Sequence, residues 1–290
     1  MADKQTTLRL IYPQWQGGVV TSWFPDFTAE DASKGYYLGA RLLNFLSPNS
    51  NQKTIEVPIS LEYNDEISKD GITRKSAILQ QTQSALEILR QQNPERILTL
   101  GGECSVSVVP FTFLADKYPD DVAVVWLDAH PDINLPGDEY TGYHAMAVTA
   151  CIGLGDIELM GVLPAKFDPS KILIAGLCSL DNDAEKRLPK TGIKTVSPQE
   201  LRENPASVIN WLAETKATKV VIHFDLDVLD PSELMAAVDR KSGDMKIKEV
   251  LQVIKDISKN YDVVGLTVAE HLPDIEIKIR NILAELPLMN

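Results

Sequence analysis

Asp128, His130 and Asp132 alternate at the end of an apolar run, Val122–Leu127, in the order Asp-Ala-His-Pro-Asp. A second pair, Asp225 and Asp227, closes another apolar run that begins at Val220. Alternate residues of a strand project from one face, so each group aims its carboxylates or imidazole into a common space. Two such strand ends side by side crowd anions away from water, which is unfavourable unless cations lie between them. Carboxylate oxygens joined by an imidazole suit manganese or a similar divalent ion better than a structural zinc. Three cysteines are too few for an all-cysteine site. Two ions sharing carboxylates would activate a bridging water for hydrolysis at neutral pH. A single aspartate at a strand end has a plainer use as a helix cap or turn former. The two clusters together favour metal.

His144 follows the first cluster closely enough in sequence to reach the same rim. Its ordinary pKa range suits proton transfer to a leaving amine; the plainer alternative is a hydrogen-bonded histidine at a helix start. Glu270 follows the apolar run Val263–Ala269. A carboxylate there can accept a guanidinium through two parallel hydrogen bonds, the alternative being a surface ion pair.

The elements that must hold these groups alternate along the chain between strand-like and helix-period segments. The strands expected are Leu8–Ile11, Thr54–Pro58, Arg96–Leu100, Val122–Asp128, Lys171–Gly176, Lys194–Val196, Lys219–Asp225 and Asp262–Ala269. The helices expected are Lys34–Leu46, Ser76–Gln92, Ser107–Tyr118, Ala206–Thr215, Lys246–Asn260 and Asp274–Leu286. Continuous apolar strands imply a sheet covered on both faces, so the simplest architecture is a mostly parallel sheet of about eight strands between helical layers. No repeat, low-complexity tract or Pro/Gly linker divides it, and residues 1–290 are expected to form a single domain. Ligands of such sheets bind beyond the carboxyl ends of the strands. Gly101–Cys104, the Asp128 group, Asp181, the Asp225 group and Glu270 all fall at such ends.

A net charge of −13 argues against nucleic acid or an anionic membrane as partner and mildly favours cationic ligands. No stretch approaches the roughly 18 uncharged apolar residues of a membrane span. The start, Met1–Gln5, lacks the basic and apolar segments of a secretion signal. Cys104, Cys151 and Cys178 are scattered, which gives no disulfide framework and fits a reducing cytoplasm.

With these residues assembled, the chain resembles the ureohydrolase superfamily of arginase, agmatinase, formimidoylglutamase and relatives. The family's Asp-Ala-His-x-Asp motif matches Asp128–Asp132, and its Asp-x-Asp-x-x-Asp-Pro motif matches Asp225–Pro231. Its Gly-Gly-Asp-His-Ser motif is altered to Gly101–Gly102–Glu103–Cys104–Ser105. The resemblance implies a three-layer α/β/α arginase-type fold, two manganese ions, and hydrolysis of a guanidino or formimidoyl C–N bond that releases urea from guanidines. It makes Asp128 and Asp225 the bridging carboxylates, puts Cys104 and Asp132 at the first metal, and puts His130 and Asp227 at the second. It makes His144 the proton shuttle and Glu270 the guanidinium holder. Asn134 and Asp181 align with positions that contact the amino-acid end of the substrate. Relatives are commonly trimers or hexamers, so a homo-oligomer is expected.

The pattern breaks at identifiable places. Cys104 stands where the family usually has a histidine ligand, and a soft thiol that must first lose its proton is a poorer partner for manganese. His223 shares a face with Asp225 and Asp227 by alternation, where relatives usually carry serine. It is read either as a replacement imidazole arriving from another direction or as a hydrogen-bonded histidine beneath the metal floor. Tyr140–Tyr143 replaces the Ser-Gly-Asn loop of arginases, and His271 is expected to reshape the wall beside Glu270. The leading reading is a metal-dependent amidine hydrolase with a small guanidino substrate. The alternatives are a catalytically impaired ligand-binding or assembly subunit and a zinc deacetylase of related fold. The paired Asp225 and Asp227, and the lack of a His-His dyad before Asp128, argue against the deacetylase.

Overall fold

The computed structural model describes residues 6–238, 243–284, 286 and 288, so the N-terminal segment Met1–Gln5 lies outside the described residues. Among the described residues eight strands form one sheet: β1 (Thr7–Tyr12), β2 (Lys53–Glu56), β3 (Arg96–Gly101), β4 (Val122–Leu127), β5 (Ile172–Ala175), β6 (Lys194–Val196), β7 (Lys219–Asp225) and β8 (Asp262–Ala269). Their order is β2-β1-β3-β8-β7-β4-β5-β6. Every neighbouring pair is parallel, so the sheet expected to be mostly parallel is wholly so.

The helices are α1 (Ala29–Ser33), α2 (Gly35–Leu46), α3 (Lys75–Gln92), α4 (Val108–Lys117), α5 (Ala147–Cys151), α6 (Ile157–Val162), α7 (Asn182–Thr191), α8 (Pro198–Glu203), α9 (Ser207–Thr215), α10 (Ile247–Asn260) and α11 (Asp274–Ala284). The layering follows from β4, where every residue is buried. Val122, Val124 and Trp126 pack into one core with residues of α3 and α4. Ala123, Val125 and Leu127 pack into a second core with residues of α8, α9 and α10. A strand with apolar groups on both faces needs helices on both faces, which is the expected three-layer α/β/α arrangement.

Five of these helices are absent from the sequence reading, because a run of five to ten residues is too short to establish a 3.6-residue period. Caps mark four of them, with Thr28 accepting the amide of Asp31 before α1. Asp156 accepts the amides of Glu158 and Leu159 before α6, and Asp181 those of Asp183 and Ala184 before α7. Ser197 and Glu200 form a capping box around Pro198 at the start of α8.

After β3 the chain leaves to form β4, and β7 and β8 later fill the gap between them. The carboxyl ends of β3, β8, β7, β4 and β5 therefore lie in consecutive order along one rim. This is the kind of switch point where open parallel sheets bind ligands.

Helix α2 closes against the turn that follows β8. A Cβ built on Gly39 would stand 1.7 Å from the backbone oxygen of His271, next to Glu270. Alanine in an exposed helix interior stabilises by about 1 kcal/mol over glycine. Here the clash with backbone should reverse the sign. Gly39→Ala is expected to destabilise the protein by about 1–3 kcal/mol, read as a lower urea midpoint; an unchanged or raised midpoint contradicts this packing.

Candidate active site

The loop after β4 folds back on itself through its own carboxylates. Asp128, fully buried, accepts the amide of His130 at 2.6 Å and the indole Nε1 of Trp126 at 2.8 Å. Asp225, at the tip of β7, accepts the amide of Asp227 at 2.7 Å. Asp227 accepts the amide of Ala129 at 3.3 Å and meets His130 Nδ1 at 2.9 Å, which ties the two loops together. Asp132 is buried with a left-handed backbone (φ 49°), and its Oδ2 has no hydrogen-bond partner.

The loop after β3 brings Cys104 to the same place. Its Sγ lies 3.0 Å from Asp225 Oδ2 and 3.3 Å from Glu270 Oε1, two acceptors for one thiol proton, while its amide donates to Glu270 Oε1 at 3.0 Å. Beside it Glu103 is fully buried, accepting from Gln14, from the Ser105 amide and from the Ser105 hydroxyl. Glu270 is the second non-glycine residue here with a left-handed backbone (φ 66°), and its amide is fixed to the carbonyl of Gly102. Its Oε2 accepts from Tyr36.

His144 Nδ1 lies 3.1 Å from Glu270 Oε1, and Nε2 lies 2.6 Å from the hydroxyl of Tyr140. A carboxylate only accepts, so Nδ1 carries a proton and Nε2 faces a group able to donate or accept. Burial works to lower His144, but the charge and hydrogen bond of Glu270, with help from Glu103, raise it above the ordinary histidine value. Asn134 donates to Asp181 Oδ2 at 2.8 Å while Asp181 Oδ1 caps α7, so the capping use and a place on the cleft coexist in one carboxylate.

Of the ten residues given a metal, catalytic or substrate role from sequence, nine line one cleft of about 320 Å³: Cys104, His130, Asp132, Asn134, His144, Asp181, Asp225, Asp227 and Glu270. Asp128 lies sealed beneath it. His271 is not among the lining residues; its ring faces the carbonyl of Ala236 at 3.2 Å, which corrects the expectation that it reshapes the wall. Sequence reasoning missed Tyr36, Ser107 and the orienting role of Trp126. Tyr140 was flagged only as part of a changed loop.

The donor set fits a pair of divalent cations. Ligand-type atoms of Cys104, Asp128, His223 and Asp225 lie within 4.8 Å of one another, and so do those of Asp128, His130 and Asp227. Asp128 belongs to both groups. Asp132 Oδ2 and His223 Nε2 are buried without partners at this rim, and each such orphan costs about 1–3 kcal/mol unless something binds it. Burial, and then the charge of Asp227, pushes Asp128 up to about 7. Burial followed by neighbouring carboxylates pushes Asp132 and Asp225 well above the usual range. Asp227 is raised by burial but held below the usual range by His130 and the Ala129 amide. Burial, then Asp132 and Asp225, pushes the Cys104 thiol well up. Without cations these groups are too crowded to ionise together.

A wholly parallel α/β/α sheet with a buried, carboxylate-rich rim defines a candidate metalloprotein. The chain belongs to the arginase family, whose sequence model matches residues 45–286. It is similar to the arginase of Saccharomyces cerevisiae, at 28% identity over 193 residues that make up 62% of this chain and 58% of that relative. The match thus spans less than two thirds of the relative's length. In three dimensions it is similar to Entamoeba histolytica arginase solved with L-ornithine (TM-score 0.76, 18% identity, 96% of this chain and 95% of that one). It is also similar to formimidoylglutamase from Bacillus subtilis (TM-score 0.65, 17% identity, 93% and 79%). At these identities the structural likeness speaks for the fold.

The raised Asp128 makes metal binding pH-dependent. Its folded value of about 7 lies above the ~3.9 of an unfolded aspartate. Its contribution to the metal-free fold is therefore full below about pH 4 and is lost as the pH rises through about 7. A cation must displace that proton. The rise in melting temperature on adding manganese to chelated protein is expected to be larger at about pH 8 than at about pH 6, and equal rises contradict the assignment.

Proposed function

We propose that the chain hydrolyses a C–N bond of a guanidino or related amidine compound, with two divalent ions, manganese by preference, at the rim. The observation that carries this reading is that Asp128 belongs to two groups of ligand atoms beneath a cleft that also holds His144 and Glu270. Cys104, Asp132, Asp128 and Asp225 would hold the first ion. His130 and Asp227, with the same two bridging carboxylates, would hold the second. Bound ions would acidify a water and polarise the amidine carbon.

The side chains supply the rest. His144 exchanges its proton at Nε2, where the Tyr140 hydroxyl is 2.6 Å away, and Glu270 keeps Nδ1 protonated and the ring oriented. That places an acid beside the cleft for the departing amine. Glu270 offers a carboxylate to the cationic end of the substrate, where an incoming guanidinium would compete with the Cys104 thiol for Oε1. Asn134 and Asp181 offer an amide and a carboxylate on the same cleft, which supports an arginine-like substrate with an amino-acid end. Tyr140 fills the substrate loop, so guanidines other than arginine belong in any trial.

The net charge of −13 favours a small cationic substrate over nucleic acid or an anionic membrane. Among the described residues no helix is long and apolar enough to cross a membrane. A cytoplasmic homo-oligomer, trimeric or hexameric, completes the proposal.

A second reading, an impaired ligand-binding subunit, is favoured by the thiol at position 104. One assay separates the two. Manganese-stimulated release of urea is expected from at least one guanidine, and His144→Ala should lower turnover by about 100- to 10,000-fold. Silence across a guanidine and formimidoyl panel, in protein shown to carry its ions, would favour the binding subunit.

A further inference from the structure

Building on the two-ion reading, we propose that His223 Nε2 is the imidazole ligand of the first ion. His223 sits on β7 two residues before Asp225 and so shares its face. It is fully buried. Its ring stacks on Trp126 with centroids 3.7 Å apart and planes 11° apart, and Nδ1 lies 2.7 Å from the hydroxyl of Ser107. Those contacts fix both the position and the rotation of the ring.

The other nitrogen has no partner, and the ligand atoms of His223, Cys104, Asp128 and Asp225 lie within 4.8 Å of one another. When Ser107 accepts the Nδ1 proton, Nε2 keeps a free lone pair, available to a cation held by this carboxylate cluster. A lone pair aimed among anionic oxygens is a repulsive arrangement without a cation and a ligating one with it. Trp126 serves as the positioning residue, because its indole donates to Asp128 Oδ2 at 2.8 Å while its face carries the imidazole.

The pairing with Cys104 gives the arrangement a reason. A small side chain at 104 leaves room for a ring entering from β7. The first ion then has a nitrogen donor whether or not the thiol gives up its proton, and nitrogen suits manganese better than sulfur does. The two positions are thus read as one exchange: the imidazole that relatives usually supply from the loop after β3 comes here from β7.

The test counts metal rather than turnover. Manganese per chain is measured by emission spectrometry and calorimetry on dialysed wild type, His223→Ser, and the double variant Cys104→His with His223→Ser. Circular dichroism verifies the fold of each. Wild type is expected to hold two ions. His223→Ser should hold one tightly and bind the other at least about tenfold more weakly. The double variant exchanges the two side-chain volumes approximately and should regain the second ion. X-ray absorption at the manganese edge of wild type should show two imidazole rings shared between two ions, which keeps the test open even for a variant that does not fold. Two ions bound to His223→Ser with unchanged affinity, or one ring in the wild-type spectrum, overturns the role of His223 and leaves the hydrolase reading standing. Wild type that binds no ion overturns both.

Discussion

Carboxylates packed together out of water set the terms for the rest of this molecule. Two unit charges about 4 Å apart repel by about 4 kcal/mol at the effective dielectric of a partly buried protein site, and Asp128 lies within that order of distance of both Asp225 and Asp227. The protein answers locally with amides and an indole: His130 N and Trp126 Nε1 on Asp128, Asp227 N on Asp225, Ala129 N on Asp227. These donors fix where the oxygens point but do not remove the charge. What remains is met by protons that Asp128, Asp132 and Asp225 hold against their usual tendency, or by cations that displace them. A fold built only for stability gains nothing from such crowding, since well-packed apolar residues of similar volume do as well or better.

The sheet order makes the crowding possible. Because β7 and β8 are inserted between β3 and β4, loops distant in sequence meet at one rim. Cys104 reaches Glu270 across 166 residues, and Tyr36 reaches the same glutamate across 234. The left-handed backbones at Asp132 and Glu270 lie where the chain must turn sharply to aim a side chain inward. Gly39 allows α2 to approach the turn that carries Glu270. Conformational strain and close approach are thus concentrated beside the chemistry, with ordinary close-packed cores on both faces behind it.

Much of this was legible in the sequence, for local reasons. The alternation of Asp128, His130 and Asp132, and of Asp225 and Asp227, is a property of strand geometry and needs no tertiary information. The strand-like segments that became β6, β7 and β8 have the bounds expected of them. What stayed hidden depends on partners far along the chain. Strand alternation placed His223 on the face of Asp225, but the Ser107 bond and the unpartnered Nε2 arise only when the loop after β3 docks on β7. Asp181 was read as a choice between cap and site residue, and it takes both positions because its two oxygens face different ways. His271 follows Glu270 in sequence, yet the turn points its ring at Ala236. The short helices α6, α7 and α8 were within reach through their caps, which periodicity does not see.

The central proposition, that these oxygens share their space through bound cations, is tested most directly by anomalous diffraction from crystals grown with manganese. Two peaks are expected at the rim, with Asp128 and Asp225 touching both. A map with no peak there, and carboxylates that keep their protons and hydrogen bonds to one another at neutral pH, would contradict the account.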